Sequence, residues 1–142
     1  MARRVVVGMI SKSRGPGTVG HMTDVDEAVL TDLISREPLF HRTEFGTSRE
    51  VFESMTMPDF WEVGASGAVY DREFVWATLE RRYVAAEPDE WETSDFRLRP
   101  LGAEVFLLTY VLRQGSRVTR RATIWQRSGA AWRAVYHQGT LV

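Results

Sequence analysis

The C-terminal third of this chain leaves few options for what it can build. From Asp95 onward it reads "DFRLRPL", "AEVFLLTYVLRQ", "RVTRRATIWQR" and "AAWRAVYHQGTLV", segments rich in β-branched and aromatic residues. The dipeptides Gly102-Ala103, Gly115-Ser116 and Ser128-Gly129 separate them. Extended segments divided by such short turn signals are consecutive hairpins, so an antiparallel meander is predicted. With two residues in each loop, Trp125 faces Trp132, Arg121 faces Tyr136 and Tyr110 faces Arg121. Side chains alternate along a strand, which sorts the meander into two faces. One face collects Phe106, Leu108, Tyr110, Arg121, Thr123, Trp125, Trp132, Ala134, Tyr136 and Gln138. The other collects Phe96, Leu98, Val105, Leu107, Thr109, Val111, Ala122, Ile124, Val135 and His137. Both faces are largely apolar along the central strand, so both need covering.

The covering material lies upstream. Thr23-Asp24-Val25-Asp26-Glu27 carries two overlapping helix-start signals, with Asp24 and Glu27 in capping-box spacing. Val25, Ala28, Val29 and Leu33 follow at helical spacing, and Pro38 closes the segment. A second capping box, Thr47-Ser48-Arg49-Glu50, opens a short helix that Pro58 ends. "DFWEVG", Asp59–Gly64, reads as a strand that breaks at "GASG". Asp71 caps a third helix running to about Tyr83. Helices first and an antiparallel meander after them make an α+β domain. Three helices cover one sheet face only, and a second copy of the chain is the expected cover for the other: a homodimer joined through the sheet.

Composition excludes several classes of function. Cysteine is absent, which removes disulfides and thiolate metal sites, and three His make a metal site built from protein ligands unexpected. A net charge of −1 points to neither nucleic acid nor a polybasic membrane surface. No apolar run approaches the roughly 20 residues that span a bilayer. A cytoplasmic protein without cofactor is the default reading. Residues 1–21 contain Arg3, Arg4, Lys12 and Arg14 but no acid, and "SRGPGTVG" within them is turn chemistry. They read as a disordered extension or the product of an upstream start codon, with Met22 directly before the first helix signal. The alternatives are an edge strand over Arg4–Ile10 or a basic targeting arm. Residues 22–142 then form a single domain.

The stretches "PDFWEVGASGAVYDRE", "AEVFLLTYVL" and "RRATIWQRSGAAWRAVYHQGT" together resemble a family of unknown function in the nuclear transport factor 2-like superfamily. That superfamily includes ketosteroid isomerases, SnoaL-like polyketide cyclases and the association domain of calmodulin-dependent kinase. The resemblance implies a cone: a strongly bent antiparallel sheet wrapped around three N-terminal helices, with a pocket at the wide end. It does not set an activity, because fold and function separate in this superfamily.

By the same resemblance, Glu62 of "DFWEVG" stands where the isomerase-like relatives carry a general base. Set among Phe60, Trp61 and the sheet aromatics, its carboxylate would be desolvated and its pKa raised, as proton abstraction beside a carbonyl needs. The plain alternative is a structural Glu paired with an arginine. Arg121 and Thr123 match positions that face the cavity in relatives. The isomerases have an acid near the place of Arg121, so a cation here argues against steroid isomerisation and for an anionic ligand held by a guanidinium fork. Trp61, Tyr110, Tyr136 and Gln138 are further candidates to line the pocket, Tyr hydroxyls being able to donate to an oxyanion. His137 falls on the opposite face in this register and could join Glu62 only if the strand bulges. Two functions stay open: a small-ligand-binding, dimerising module, or a cofactor-free isomerase, cyclase or dehydratase with Glu62 as base.

Overall fold

The computed structural model describes residues 23–85 and 90–142; the proposed extension, residues 1–21, lies outside the described residues. The described elements run α1 (Asp24–Ile34), a 3-10 turn (Thr43–Phe45), α2 (Arg49–Met55), β1 (Thr56–Val63), β2 (Val69–Asp71), α3 (Arg72–Ala85), β3 (Glu92–Pro100), β4 (Val105–Gln114), β5 (Arg117–Ser128) and β6 (Ala131–Leu141).

Each helix begins where a short polar side chain can take an orphan N–H. The Thr23 hydroxyl accepts from the Asp26 N–H at 3.1 Å, so Thr23 is the cap, and Asp24, Asp26 and Glu27 add favourable charge to the first turn of α1. Ser48 caps α2 through the Val51 N–H at 3.2 Å. Asp71 caps α3 through the Phe74 N–H at 2.8 Å. Pro58 does not end α2: the helix stops at Met55, and Pro58 lies inside β1. Two elements had no clear sequence signal, the 3-10 turn and the three-residue strand β2, which folds back on β1 across the Gly64–Ala68 turn.

The six strands form one curved sheet in the order β2-β1-β6-β5-β4-β3. It is mixed rather than wholly antiparallel, because β1 and β6 run parallel. The reason is topological. Beyond β1 and β2 the chain passes through α3 to the far edge of the sheet. The meander β3–β6 then walks back, and its fourth strand arrives beside β1 pointing the same way.

The inner face of the sheet packs against the helices. Val29, Leu30 and Leu33 of α1 and Val75, Trp76 and Leu79 of α3 meet Phe60, Phe96, Phe106, Leu108, Leu112, Trp125 and Trp132 in one buried core. Among the described residues no helix is long and apolar enough to cross a membrane.

Bulges and loop lengths change the expected faces. The β5–β6 loop is Gly129-Ala130, one position later than expected, which pairs Arg127 with Trp132 and Trp125 with Ala134. Gly129 takes a φ of 60°, which a tight hairpin loop of this kind requires. Beyond Ala134 the register slips by one, and Ile124 pairs with Tyr136, Thr123 with His137 and Arg121 with Gly139. The extra residue, Val135, reverses the alternation of the rest of β6. His137 therefore turns inward, while Tyr136 and Gln138 turn outward. A second bulge lies between Ser94 and Arg97, where Asp95 has a φ of 58°. Phe96 and Leu98 come to the inner face because the β3–β4 loop is longer than two residues and sets Pro100 opposite Phe106 and Leu98 opposite Leu108, with Phe96 stacked 5.1 Å from Tyr110. The pairing of Tyr110 with Arg121 stands as expected.

Candidate functional site

A cavity of about 520 Å³ opens between the inner sheet face, α3 and the segment Leu39–His41. Glu62 of β1, Arg121 of β5 and His137 of β6 line its sheet side. Phe74, Val75, Thr78 and Leu79 of α3 form the apolar wall opposite, and Arg81, Arg82 and Arg117 stand around it with the Gly64–Ser66 turn. Four guanidinium groups and one carboxylate therefore share a single concavity in a chain of net charge −1.

Glu62 reaches the cavity because β1 alternates about Phe60, which is buried, and Trp61, which points outward and is 44% exposed. In the sheet Glu62 is flanked by Tyr70 of β2 and His137 of β6. Among the described residues its carboxylate has no hydrogen-bond or ion-pair partner. Burial pushes its pKa up, against the opposing charges of Arg121 and Arg82. A carboxylate of this kind keeps its lone pairs and gains basicity.

Behind the cavity wall lies a buried polar chain. Arg121 donates from Nε to the Thr119 hydroxyl at 2.9 Å, and its Nη1 lies 3.2 Å from His137 Nε2. His137 Nδ1 is 2.8 Å from the Thr123 hydroxyl. The Thr123 side chain also stands beside Glu37, where it favours the charged carboxylate. Glu37 is completely buried just after α1, in a Glu37-Pro38 cis peptide. Its carboxylate accepts from the Leu39 N–H and the Tyr110 hydroxyl, both at 2.6 Å, and from the Trp125 indole at 3.2 Å. Burial raises the pKa of Glu37 and lowers that of His137 to about 3, the latter helped by the Arg121 charge. His137 is thus a neutral imidazole near neutral pH. Gly139, the strand partner of Arg121, leaves room for the guanidinium: a Cβ there would sit 3.3 Å from Arg121 Nε and Cζ.

The structure therefore divides the residues singled out from the sequence. Glu62, Arg121 and His137 line the cavity together. Tyr110 and Thr123 are buried behind them, Tyr110 bonded to Glu37 and Thr123 to His137. Trp61, Tyr136 and Gln138 lie on the outer face, where the Trp61 and Tyr136 rings are 5.0 Å apart and Tyr136 donates to Gln138 Oε1 at 2.6 Å. Sequence reasoning missed Glu37. The one available signal is a lone acid before the apolar run Pro38-Leu39-Phe40, and only the folded structure shows three donors converging on it. Among the described residues no cluster of His, Asp and Glu could hold a metal ion.

No family model and no curated protein matches this chain in sequence. Solved structures match it in shape. A nuclear transport factor 2-like protein from Cytophaga hutchinsonii has a TM-score of 0.59 at 13% identity, over 85% of this chain and 100% of that one. A protein of unknown function of the same kind from Silicibacter pomeroyi has a TM-score of 0.59 at 18% identity, over 85% of this chain and 100% of that one. Another from Pseudomonas aeruginosa has a TM-score of 0.61 at 11% identity, over 79% of this chain and 97% of that one. Identities this low speak to fold alone. The three helices and curved six-stranded sheet of the described residues, with these structural matches, give this chain the nuclear transport factor 2-like fold.

Proposed function

We propose that this chain binds a small anionic or carbonyl compound in the cavity beneath β1, β5 and β6. One observation carries the reading: the Glu62 carboxylate, partly desolvated and without a partner among the described residues, faces the same cavity as Arg121, whose guanidinium is held by neutral acceptors. A structural ion pair would have joined the two. An acidic ligand group takes the guanidinium fork of Arg121, and the apolar wall from α3 takes its carbon skeleton.

The raised basicity of Glu62 favours a second step on the same ligand. Glu62 removes a proton from the carbon beside the ligand carbonyl, the opening move of a cofactor-free isomerase, cyclase or dehydratase. The test has two parts. A thermal-shift screen with small carboxylates and oxo-acids should give stabilising hits that are lost in Arg121→Gln. Hits incubated in heavy water should then exchange their α-protons faster with the wild type than with Glu62→Gln. Binding without exchange would leave a ligand-binding module, and a screen without hits would reject the reading altogether.

We infer that the outer sheet face pairs with a second copy. Leu107, Thr109 and Ile124 remain on that face, half-buried in the single chain, and the exposed Trp61 extends the patch. His137, expected there, is not part of it.

A further inference from the structure

We propose that Glu37, Thr123 and His137 form a one-directional hydrogen-bonded relay that positions the Arg121 guanidinium to receive the anionic group of the cavity's ligand. This rests on the preceding reading of the cavity as a site for a small anionic or carbonyl compound.

The direction follows from donor counts. Arg121 can only donate, so the nitrogen facing its Nη1 at 3.2 Å, His137 Nε2, must offer a lone pair. A neutral imidazole carries one N–H, which therefore sits on Nδ1 and donates to the Thr123 hydroxyl at 2.8 Å. The Thr123 hydroxyl proton is then left to turn toward Glu37 beside it, which serves as the terminal acceptor. Running the chain the other way would set an N–H of His137 against an N–H of Arg121. The far end is equally constrained. The Leu39 N–H and the Trp125 indole can only donate, and both point at the Glu37 carboxyl group.

The consequence falls on Arg121. Thr119 and His137 pin its guanidinium at two points, and both are neutral. Among the described residues no carboxylate lies within ion-pair distance of it, although Glu62 lines the same cavity. Its positive charge is thus held in a fixed geometry without being cancelled, as an anion-binding group requires. The relay also accounts for Glu37. A carboxyl group buried in the core without a cation is costly, and this one orders a chain that ends at the cavity. Glu37, Thr123 and His137 are positioning residues, acting on the ligand through Arg121.

The test begins with the full chain labelled with nitrogen-15. Long-range proton–nitrogen spectra distinguish the two imidazole tautomers, and His137 should be the Nδ1–H form across about pH 5–8. In Thr123→Val the Nδ1–H of His137 loses its acceptor while Arg121 still faces the Nε2 lone pair, so the tautomer should stay and both the His137 Nδ1–H and the Arg121 Nε–H should exchange faster with water. The affinity for levulinate, a small oxo-acid used as probe, should fall roughly tenfold, about 1.4 kcal/mol. Thr123→Ser keeps the hydroxyl and should restore all three readouts, which a merely structural packing role for the Thr123 methyl would not allow. An Nε2–H tautomer in the wild type overturns the relay, as does a Thr123→Val protein in which the His137 Nδ1–H and the Arg121 Nε–H exchange as in the wild type. If the wild type binds neither levulinate nor any other small acid, the cavity reading fails by itself, while tautomer and exchange still decide the relay. Should Thr123→Val not fold, the wild-type and Thr123→Ser spectra carry the decision.

Discussion

His137 Nδ1 lies 2.8 Å from the Thr123 hydroxyl, a contact that exists because β6 carries one extra residue at Val135. Without that bulge the imidazole would point to the outer face. Thr123 would then lose its partner in the core, and Arg121 would lose one of its two anchors.

Glu62→Gln keeps the size of the side chain and removes its charge and basicity. With no ion pair to break among the described residues, the variant should keep its Tm or gain roughly 2–4 °C. Any α-proton exchange activity should vanish. Were Glu62 instead closing a buried pair with Arg121, the same substitution would cost on the order of 3–5 kcal/mol. A large fall in denaturant midpoint would therefore reject its role in the cavity.

Stability should fall as the medium is acidified through the titration range of His137. Its folded pKa is lowered from 6.5 to about 3, so between those values the unfolded chain binds the extra proton and the folded chain does not. The contribution is complete above about pH 6.5 and is lost progressively below it, with a slope approaching about 1.4 kcal/mol per pH unit. Glu37 and Glu62 work with the opposite sign. Their raised pKa values favour the folded state as pH falls toward 4.5 and disfavour it as pH rises through the folded values. Urea midpoints measured across this range for the wild type and His137→Gln should show a shallower acid limb in the variant. Superimposable curves would show that His137 is not the titrating group.

Gly139→Ala places a methyl group 3.3 Å from Arg121 Nε and Cζ. The guanidinium must give way by a few tenths of an ångström. Stability should change by less than about 1 kcal/mol, while affinity for an acidic ligand falls several-fold. Isothermal titration beside a melting curve separates the two effects, and an unchanged affinity would show that the position of Arg121 does not matter to binding.

Glu37→Ala leaves the Tyr110 hydroxyl, the Trp125 indole N–H and the Leu39 N–H without their acceptor in the core. Each unsatisfied buried group costs about 1–3 kcal/mol, so the variant should lose on the order of 3 kcal/mol or more. A denaturant midpoint close to that of the wild type would mean that water enters and replaces the carboxylate.

Ile124→Asp tests the outer face. Ile124 is only half-buried in the single chain, between Leu107 and Tyr136. A charge there is tolerable in a monomer and costly in a covered interface. Sedimentation should show a dimer for the wild type at micromolar concentration and a folded monomer for the variant. A monomeric wild type would remove the dimer from the account.

The order of the three helices, β1 and the meander strands was legible in the chain because it depends on local physics. Thr23, Ser48 and Asp71 cap helices by accepting from N–H groups three residues away, and short turn signals announce the hairpins at close range. Glu62 and Arg121 could be nominated because residue type and strand position suffice for that. What the sequence could not show depends on register and on distant partners. One residue of slip at Val135 exchanges the faces of His137 and Tyr136, and nothing in "WRAVYHQGT" marks that slip, since either alternation leaves apolar and polar groups on both faces. The parallel pairing of β1 with β6 depends on where α3 sends the chain, a property of the whole path. Glu37 meets Tyr110 and Trp125 across 73 and 88 residues of chain. Its burial is decided only when α1, β4 and β5 close around it, because a carboxyl group accepts donors wherever folding delivers them.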